Sequence, residues 1–155
     1  MPEVSVIIPL YNKAPYISRA LDSVLAQTVQ DFEIVVVDDG STDNGGEIVA
    51  SYEDLRIRLI RQENKGVSTA RNRGVHESST DFIAFLDADD EWETDHLEVL
   101  LRLKCSFPEA GAYTTAYFYV YPGGKIVPAK FKAIPASPWE GILSDYFKAA
   151  ALGDP

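Results

Sequence analysis

The chain has 155 residues, of which 46% are hydrophobic and 25% are charged, and its formal net charge at pH 7 is −10. This length and composition are typical of one globular domain with a core of its own. The acidic balance, without a visible cluster of Lys and Arg, argues against a nucleic-acid partner. The single cysteine, Cys105, excludes an intrachain disulfide framework and a cysteine-based metal site.

The N-terminal end of the chain enters a strand pattern almost at once. It lacks the basic segment and the small-residue cleavage site of a signal peptide, and no apolar run approaches the length of a membrane span. We therefore expect a cytoplasmic protein. The sequence also leaves peripheral attachment to a membrane surface open.

Strand and helix patterns alternate along the first half of the chain. Val4–Leu10 is apolar and β-branched, as expected of a central parallel strand, and apolar residues then recur at helical spacing over Ile17–Leu25. Phe32–Val37 predicts the second strand, and the helix after it is expected to be short because two glycines stand at its start. The third strand and its helix are predicted at Ile57–Ile60 and Val67–Val75.

The fourth predicted strand is the most informative stretch of the sequence. Phe82–Leu86 is an apolar run that predicts a strand buried on both faces, and it ends abruptly in the acidic stretch Asp87–Glu91. Thr94 is expected to cap the following helix and Cys105 to fill a core position on it. Pro108 is expected to stop that helix.

The alternation of strands and helices predicts an α/β fold, with a Rossmann-like, mostly parallel sheet that carries helices on both faces. The pattern then changes. Ala112–Tyr121 is strand-like and a Pro-Gly-Gly turn leads from it into Ile126-Val127, which together predict a hairpin. Pro128–Pro138 is predicted to be a loop and Trp139–Leu152 a last helix.

Two of the predicted strands end in acidic residues. Asp39 follows the second strand, and Asp87, Asp89 and Asp90 follow the fourth. Because the carboxyl ends of parallel strands meet at one edge of a sheet, these acids are expected to share the crevice in which open α/β sheets bind ligands. Carboxylates this close together can all ionise only near a counter-charge, and a divalent metal is the natural one.

A nucleotide diphosphate would suit such a crevice. The acids after the fourth strand would hold a metal that bridges phosphate oxygens, and Mg²⁺ or Mn²⁺ fits carboxylate ligands better than zinc does. Asp39 would accept a hydrogen bond from the base or the ribose, and Tyr11 would stack on the base. Lys65 or Arg71 would supply further positive charge to the phosphates.

Four segments of the chain, in order and spacing, resemble the successive signatures of family 2 glycosyltransferases. Together they are far more specific than any one of them alone. These segments are Val4–Asn12, Val37–Asp43, Asn64–Gly66 with Ala70–Asn72, and Phe85–Asp90.

The resemblance implies a GT-A type fold and the transfer of a sugar, with inversion, from a nucleotide-diphosphate donor, often a UDP-sugar, to an acceptor hydroxyl. Pro9 and Tyr11 would border the base and Asp39 would bond it, and the second acid of the Asp-x-Asp motif would bind Mg²⁺ or Mn²⁺. The resemblance assigns nucleotide-sugar binding to Pro9, Tyr11, Asp39, Gly66, Arg71, Asp87 and Ala88, and metal binding to Asp89.

The resemblance is strong over residues 3–107 and weak over residues 108–155 of what it implies is one glycosyltransferase domain. The first range would be the nucleotide-binding core, and the second the start of the half that receives a carbohydrate or lipid-linked acceptor, in a role such as polysaccharide biosynthesis. Family members usually carry their general base there, in a Glu-Asp pair, and no such pair follows residue 107. We therefore expect a truncated, donor-binding part that transfers sugar poorly or not at all, and whose uncovered edge favours self-association.

Two other functions fit parts of the pattern. A nucleotidyltransferase also uses paired acids and a metal, but it would be expected to carry a glycine-rich phosphate loop where this chain has Leu10–Lys13. A non-enzymatic module could hold a metal or a nucleotide for structural reasons, although the acids do not follow an EF-hand pattern. A dinucleotide-dependent oxidoreductase is disfavoured because the first strand is not followed by G-x-G-x-x-G.

Overall fold

The computed structural model of the chain describes residues 2–130 and 140–142. The chain divides into two compact units, Met1–Glu98 and Val99–Pro155. None of the helices in the described part is long and apolar enough to cross a membrane. The elements are β1 (Val4–Leu10), α1 (Ala14–Leu25), β2 (Phe32–Asp39), α2 (Gly45–Ala50), β3 (Ile57–Gln62), α3 (Val67–Glu77), β4 (Ile83–Phe85), α4 (His96–Ser106), β5 (Phe118–Val120) and β6 (Ile126–Pro128).

The first unit is built on a four-stranded sheet in the order β3-β2-β1-β4, and every neighbouring pair is parallel. β1 pairs with β2 along its whole length, from Val4 beside Phe32 to Leu10 beside Asp38. All residues of β1 and β2 are buried, as their apolar sequences predict for central strands. The predicted α/β class and the parallel sheet are confirmed.

Helices pack on both faces of this sheet, as the side chains of β1 show. A Cβ added at Gly74 of α3 would lie 2.3 Å from Cγ2 of Ile7, and one added at Gly45 of α2 would lie 3.4 Å from the Leu10 side chain. Ile7 and Leu10 are an odd number of positions apart, so their side chains point to opposite faces. α3 and α2 therefore cover opposite faces of the sheet.

The position of β4 differs from the prediction. Only Ile83–Phe85 forms a strand, it pairs with β1 alone among the described elements, and the Phe85 side chain is 48% exposed. The expectation of a strand buried on both faces is therefore wrong. An apolar run indicates a strand without indicating whether a neighbour lies on each side of it.

The second unit begins within α4 and continues into a hairpin. Cys105 is exposed, so its predicted core position is wrong. The hairpin is confirmed as an antiparallel pair of β5 and β6, although only Phe118–Val120 of the predicted strand Ala112–Tyr121 takes strand geometry. Most of the predicted loop Pro128–Pro138 and most of the predicted helix Trp139–Leu152 lie outside the described residues.

Candidate functional site

The carboxyl ends of the parallel strands bring four loops to one edge of the first unit. Leu10 at the end of β1 lies beside Asp38, and Asp39 lies beside Gln62 at the end of β3. The loop after β4 joins them because the Leu86 N–H donates to the Ile7 carbonyl at 3.1 Å. The sequence elements expected to form the donor site therefore meet at this edge, as the topology of a parallel sheet requires.

Asp39 holds the loop between β3 and α3 in place. Its side chain accepts hydrogen bonds from Gln62 Nε2 at 2.7 Å, from the Lys65 N–H at 2.9 Å and from the Gly66 N–H at 2.8 Å. The residue is only 3% exposed. Gly66 has φ +88°, a backbone conformation that glycine adopts without strain and that lets the turn present its amide to the carboxylate. The predicted bond from Asp39 to a base would use the acceptor capacity that these three donors leave.

Asp38, the buried neighbour of Asp39, shapes the next loop. Its Oδ1 accepts the Ser41 N–H at 2.9 Å, and its Oδ2 lies 3.9 Å from Nε of Arg61. A Cβ at Gly46 would come within 2.6 Å of the same Oδ2, so a larger residue there would displace this carboxylate. The Asp38 carboxylate is therefore engaged by Ser41 and by Arg61, and it stabilises the loop after β2.

Asn12 ties the loop after β1 to the loop after β2, a role that the sequence analysis missed. Its Oδ1 accepts the Thr42 N–H at 2.8 Å, and its backbone has the positive φ of +52° that asparagine tolerates. Asp43 makes a second tie through Oδ2, which accepts the Ala14 N–H at the start of α1 at 2.9 Å. The position of Asn12, in the turn between a strand and a helix, could have indicated this structural role. Tyr11, which precedes Asn12, is 47% exposed, whereas Pro9 is buried within β1.

Asp87 to Asp90 form a tight turn, closed by a hydrogen bond of 3.0 Å from the Asp90 N–H to the Asp87 carbonyl. Ala88 is only 2% exposed, so it anchors the turn with its side chain inward. The side chains of Asp87 and Asp89 are 46% and 41% exposed, respectively. Both carboxylates are therefore open to a ligand from solvent.

A cation from a different loop or helix pairs with each of these two carboxylates. Arg71 Nη2 of α3 lies 2.6 Å from Asp87 Oδ1, and Lys13 Nζ lies 2.5 Å from Asp89 Oδ2. Arg19 of α1 adds a hydrogen bond of 2.8 Å to the Asp89 carbonyl oxygen. Four of the predicted site residues, Gly66, Arg71, Asp87 and Asp89, thus border the same edge, and Lys13 and Arg19 join them.

The charges in the turn shift the pKa values of its neighbours. The hydrogen bond to Asp89 raises the pKa of the Lys13 ammonium above its ordinary value. Partial desolvation, and then the negative charges of Asp89 and Asp87, raise the pKa of the Asp90 carboxyl. The turn therefore carries more negative charge than its two cationic partners remove.

The side chains of this turn suit Mg²⁺ or Mn²⁺. The described residues contain no group of three or more acidic, His or Cys side chains that could enclose a metal by themselves. Mg²⁺ is commonly held by only one or two carboxylates together with substrate phosphates and water, so a complete protein cage is not needed. Asp89, with Asp87 beside it, offers hard oxygen ligands of this kind.

The loop from the turn to α4 is fixed by Gln27, two residues after the end of α1. The Gln27 amide donates to the Glu93 carbonyl at 2.7 Å and accepts the Leu97 N–H, in the first turn of α4, at 2.9 Å. Thr94 was expected to cap this helix, but α4 begins at His96 and the amide of Leu97 is satisfied by Gln27. A glutamine far away in the sequence gives no signal of such a bond.

Comparison with known proteins identifies the family. The sequence profile described as Glycosyl transferase family 2 matches residues 5–151. Glycosyltransferase GlyA of Streptococcus pneumoniae is 44% identical over 102 residues, which are 64% of this chain and 15% of that protein. The uncharacterized glycosyltransferase EpsJ of Bacillus subtilis is 47% identical over 92 residues, which are 58% of this chain and 27% of that protein.

Solved structures share the fold. S. aureus TarS 1–349, in complex with UDP-GlcNAc, superposes with a TM-score of 0.64 at 32% identity, covering 68% of this chain and 32% of that one. The mannosyltransferase PcManGT from Pyrobaculum calidifontis, in complex with GDP-Man and Mn²⁺, superposes with a TM-score of 0.61 at 32% identity, covering 65% of this chain and 32% of that one.

The chain spans 15% and 27% of the lengths of the two curated relatives. The match to the family nevertheless extends over almost all of its residues, and the fold is that of the GT-A glycosyltransferases. The four sequence signatures, the parallel sheet and these matches agree. The chain belongs to glycosyl transferase family 2.

Proposed function

We propose that this chain forms the donor-binding part of a metal-dependent, inverting glycosyltransferase. The enzyme would transfer a sugar from a nucleotide-diphosphate donor, with a UDP-sugar as the first candidate, to an acceptor hydroxyl. The observation that carries the proposal is the convergence of the Asp39-bound Gly66 loop, Arg71 and the half-exposed acids Asp87 and Asp89 at one edge of the sheet. Structures of similar fold hold UDP-GlcNAc in TarS and GDP-Man with Mn²⁺ in PcManGT, which supports this placement.

Each group at this edge suits one part of such a donor. The exposed ring of Tyr11 would stack on the base, and Asp39 would accept a base N–H. Arg71, already within reach of Asp87, would contact the nucleotide from the N-terminal half of α3. Asp87 and the backbone of Ala88 would line the ribose and the sugar, and Pro9, near the end of β1, would border the base.

Asp89 would hold Mg²⁺ or Mn²⁺ against the diphosphate. A divalent metal bound there would supply positive charge that stabilises the nucleoside diphosphate as a leaving group. The protein contributes by fixing Asp89 in the turn, through the Asp90–Asp87 hydrogen bond and through Arg19 on the Asp89 carbonyl oxygen. These contacts hold the carboxylate in place before a ligand arrives.

Inversion requires a general base within hydrogen-bond reach of the acceptor hydroxyl. The sequence after residue 107 contains Asp145 and Asp154, and neither stands in a Glu-Asp pair. We therefore propose that the 155-residue chain binds the donor but transfers sugar poorly. The acceptor would be a carbohydrate or lipid-linked hydroxyl.

The test is thermal unfolding of the 155-residue chain with Mn²⁺ and each of UDP, GDP, ADP and dTDP. A ligand that binds only the folded state, at one hundred times its Kd, stabilises that state by about 2.7 kcal/mol. We expect a metal-dependent rise of the midpoint with one nucleotide, UDP first, and its loss in Asp89→Asn. Asp81→Asn is the matched control because it removes the same charge from an exposed residue before β4.

Three outcomes would change the proposal. A rise with GDP in place of UDP would keep the donor site and reassign its base. An equal rise in Asp89→Asn would remove Asp89 from metal binding. The absence of a rise with every nucleotide would contradict donor binding by this chain.

A further inference from the structure

Lys13 joins the loop after β1 to the acidic turn after β4, which is 76 positions further along the sequence. Its Nζ donates to Asp89 Oδ2 at 2.5 Å, and the two side chains are 39% and 41% exposed. The ammonium also lies 5.8 Å from the centre of the Tyr16 ring, whose other neighbour is the Arg19 guanidinium at 5.9 Å. The ring and the carboxylate together keep the ammonium over the turn.

This ion pair occupies the carboxylate proposed to bind the metal. Lys13 Nζ donates to Oδ2 of Asp89, so a divalent cation on this carboxylate either competes for Oδ2 or binds Oδ1 beside the ammonium, and two cations at contact distance repel each other. Metal binding therefore favours movement of the ammonium away from Asp89. Arg71 poses a weaker obstacle, because it lies on Asp87, the neighbouring acid.

We propose that Lys13 is the resident counter-ion of Asp89, which keeps this one carboxylate paired without metal and lowers the affinity of the chain for a divalent cation alone. The inference rests on the proposed function, because it takes Asp89 as the metal ligand. Lys13 acts here as a positioning residue and forms no bond with the reacting atoms.

A diphosphate would change this competition. Its oxygens would supply ligands to the metal and would give the displaced ammonium a new anionic partner beside the turn. The new contact with the diphosphate offsets the loss of the Lys13–Asp89 ion pair, so the metal binds more tightly when the nucleotide is present. Because coupling between two ligands is reciprocal, the nucleotide also binds more tightly with the metal. Lys13 thus favours arrival of metal and nucleotide together.

The test measures Mn²⁺ binding without nucleotide, by electron paramagnetic resonance of the free ion, in the 155-residue chain and its variants. Lys13→Met should bind Mn²⁺ about three- to tenfold more tightly than the wild type, because it removes one competing charge at a partly exposed site. Lys13→Gln is a second neutral variant with a polar side chain, and it keeps the test valid if Lys13→Met perturbs folding. The gain in Mn²⁺ affinity on adding UDP should be smaller in both variants than in the wild type.

Two controls isolate the contact. Lys13→Arg keeps the charge and should stay within about twofold of the wild type, because the cation still competes for Asp89. Arg73→Met removes a positive charge that pairs with Glu77 at 2.7 Å on α3, and it should leave Mn²⁺ affinity unchanged.

The outcomes separate this inference from the proposed function. If Lys13→Met and Lys13→Gln bind Mn²⁺ no better than the wild type while Asp89→Asn weakens binding, the counter-ion role is overturned and the metal site stands. If neither the wild type nor the Lys13 variants bind Mn²⁺ alone but all bind it with UDP, the counter-ion role is overturned and the metal site stands; if none of them binds Mn²⁺ even with UDP, both are overturned. Tighter binding in Arg73→Met as well would also overturn the inference, because a general change of charge would then explain the result.

Discussion

At the scale of single residues, the aspartates at the carboxyl edge differ in what holds them. Asp38 and Asp39 are buried and bound to backbone amides of nearby loops, whereas Asp87 and Asp89 are half-exposed and bound to side-chain cations. A hydrogen bond to a buried carboxylate is costly to break, because the charged oxygen is left without a partner away from water. An exposed ion pair contributes only about 0.2–1 kcal/mol and exchanges readily. The first pair therefore shapes the site, and the second is available to a ligand.

This difference gives a prediction for Asp39→Asn. Asparagine keeps one acceptor oxygen but turns an NH₂ group toward the amide of either Lys65 or Gly66, so at least one of the two bonds to this buried side chain is lost. We expect unfolding in urea to show a loss of about 1–3 kcal/mol, with faster hydrogen exchange at the amides of residues 64–66. Asp87→Asn, the control in the exposed pair, should lose less than about 1 kcal/mol. Equal losses in both variants would contradict the structural role of Asp39.

The site residues that follow a strand could be predicted from the sequence. The side chains that form ion pairs with them could not. Strand ends placed Asp39, Asp87 and Asp89 at one edge of the sheet, because parallel topology alone determines that edge. The pairing of Lys13 with Asp89 spans 76 positions and depends on how two loops curve toward each other. No periodicity in the sequence encodes that geometry.

At the scale of elements, α3 packs on the sheet through a glycine. The described core of this face is formed by Val35, Val37 and Ala70, with Ile60 against it. Gly74, one turn beyond Ala70, is buried and lets the helix backbone approach Ile7 of β1. Close packing of this kind leaves no room for even one additional methyl group.

We therefore predict that Gly74→Ala destabilises the chain. The new Cβ would lie 2.3 Å from Cγ2 of Ile7, so either the helix or Ile7 must move. Overpacking of this kind costs about 1–3 kcal/mol, which outweighs the gain of about 1 kcal/mol in helix propensity. Unfolding in urea measures the change. Adding Ile7→Val should recover part of the loss, and an increase in stability for Gly74→Ala alone would contradict the packing argument.

The elements themselves were largely predictable, because their periodicity and their breakers are local. The four parallel strands and the short α2 follow from apolar runs and from the two glycines that begin that helix. The exposure of Phe85 and of Cys105 did not follow, because burial depends on which neighbours lie beside a strand or helix. A single sequence gives the apolar face of an element more readily than the surface that covers it.

At the scale of the whole first unit, the end of the sheet opposite the candidate site is closed by a carboxylate. Glu33 of β2 accepts hydrogen bonds from Ser5 Oγ at 2.6 Å and from Ser79 Oγ at 2.8 Å, and it lies 3.4 Å from Arg58 Nη1. These partners come from β1, β3 and the loop before β4. One buried acid thus joins the amino ends of the sheet, while the carboxyl ends remain open to a ligand.

This arrangement makes stability depend on pH. Desolvation opposes ionisation of Glu33, but the hydrogen bonds from Ser5 and Ser79 and the charge of Arg58 outweigh it and lower its pKa below the usual 4.5. The hydrogen bonds from Arg56 lower the pKa of Asp54 from 3.8 to about 2. A carboxyl whose pKa is lower in the folded state contributes its full stability above the unfolded pKa and loses it as pH falls through the folded value.

We therefore expect the free energy of unfolding in urea to fall as the pH drops from about 4.5 toward 2, the window set by these two groups. Glu33→Gln should be less stable than the wild type at pH 7 by about 1–3 kcal/mol, because the amide cannot accept all the donors around it. The difference should shrink through that window, since protonated Glu33 loses the same bonds. Glu53→Gln, at an exposed position, should change the pH 7 value by less than about 0.5 kcal/mol. A Glu33→Gln deficit that stays constant with pH would show that packing, and not the charge of Glu33, joins the strands at this end of the sheet.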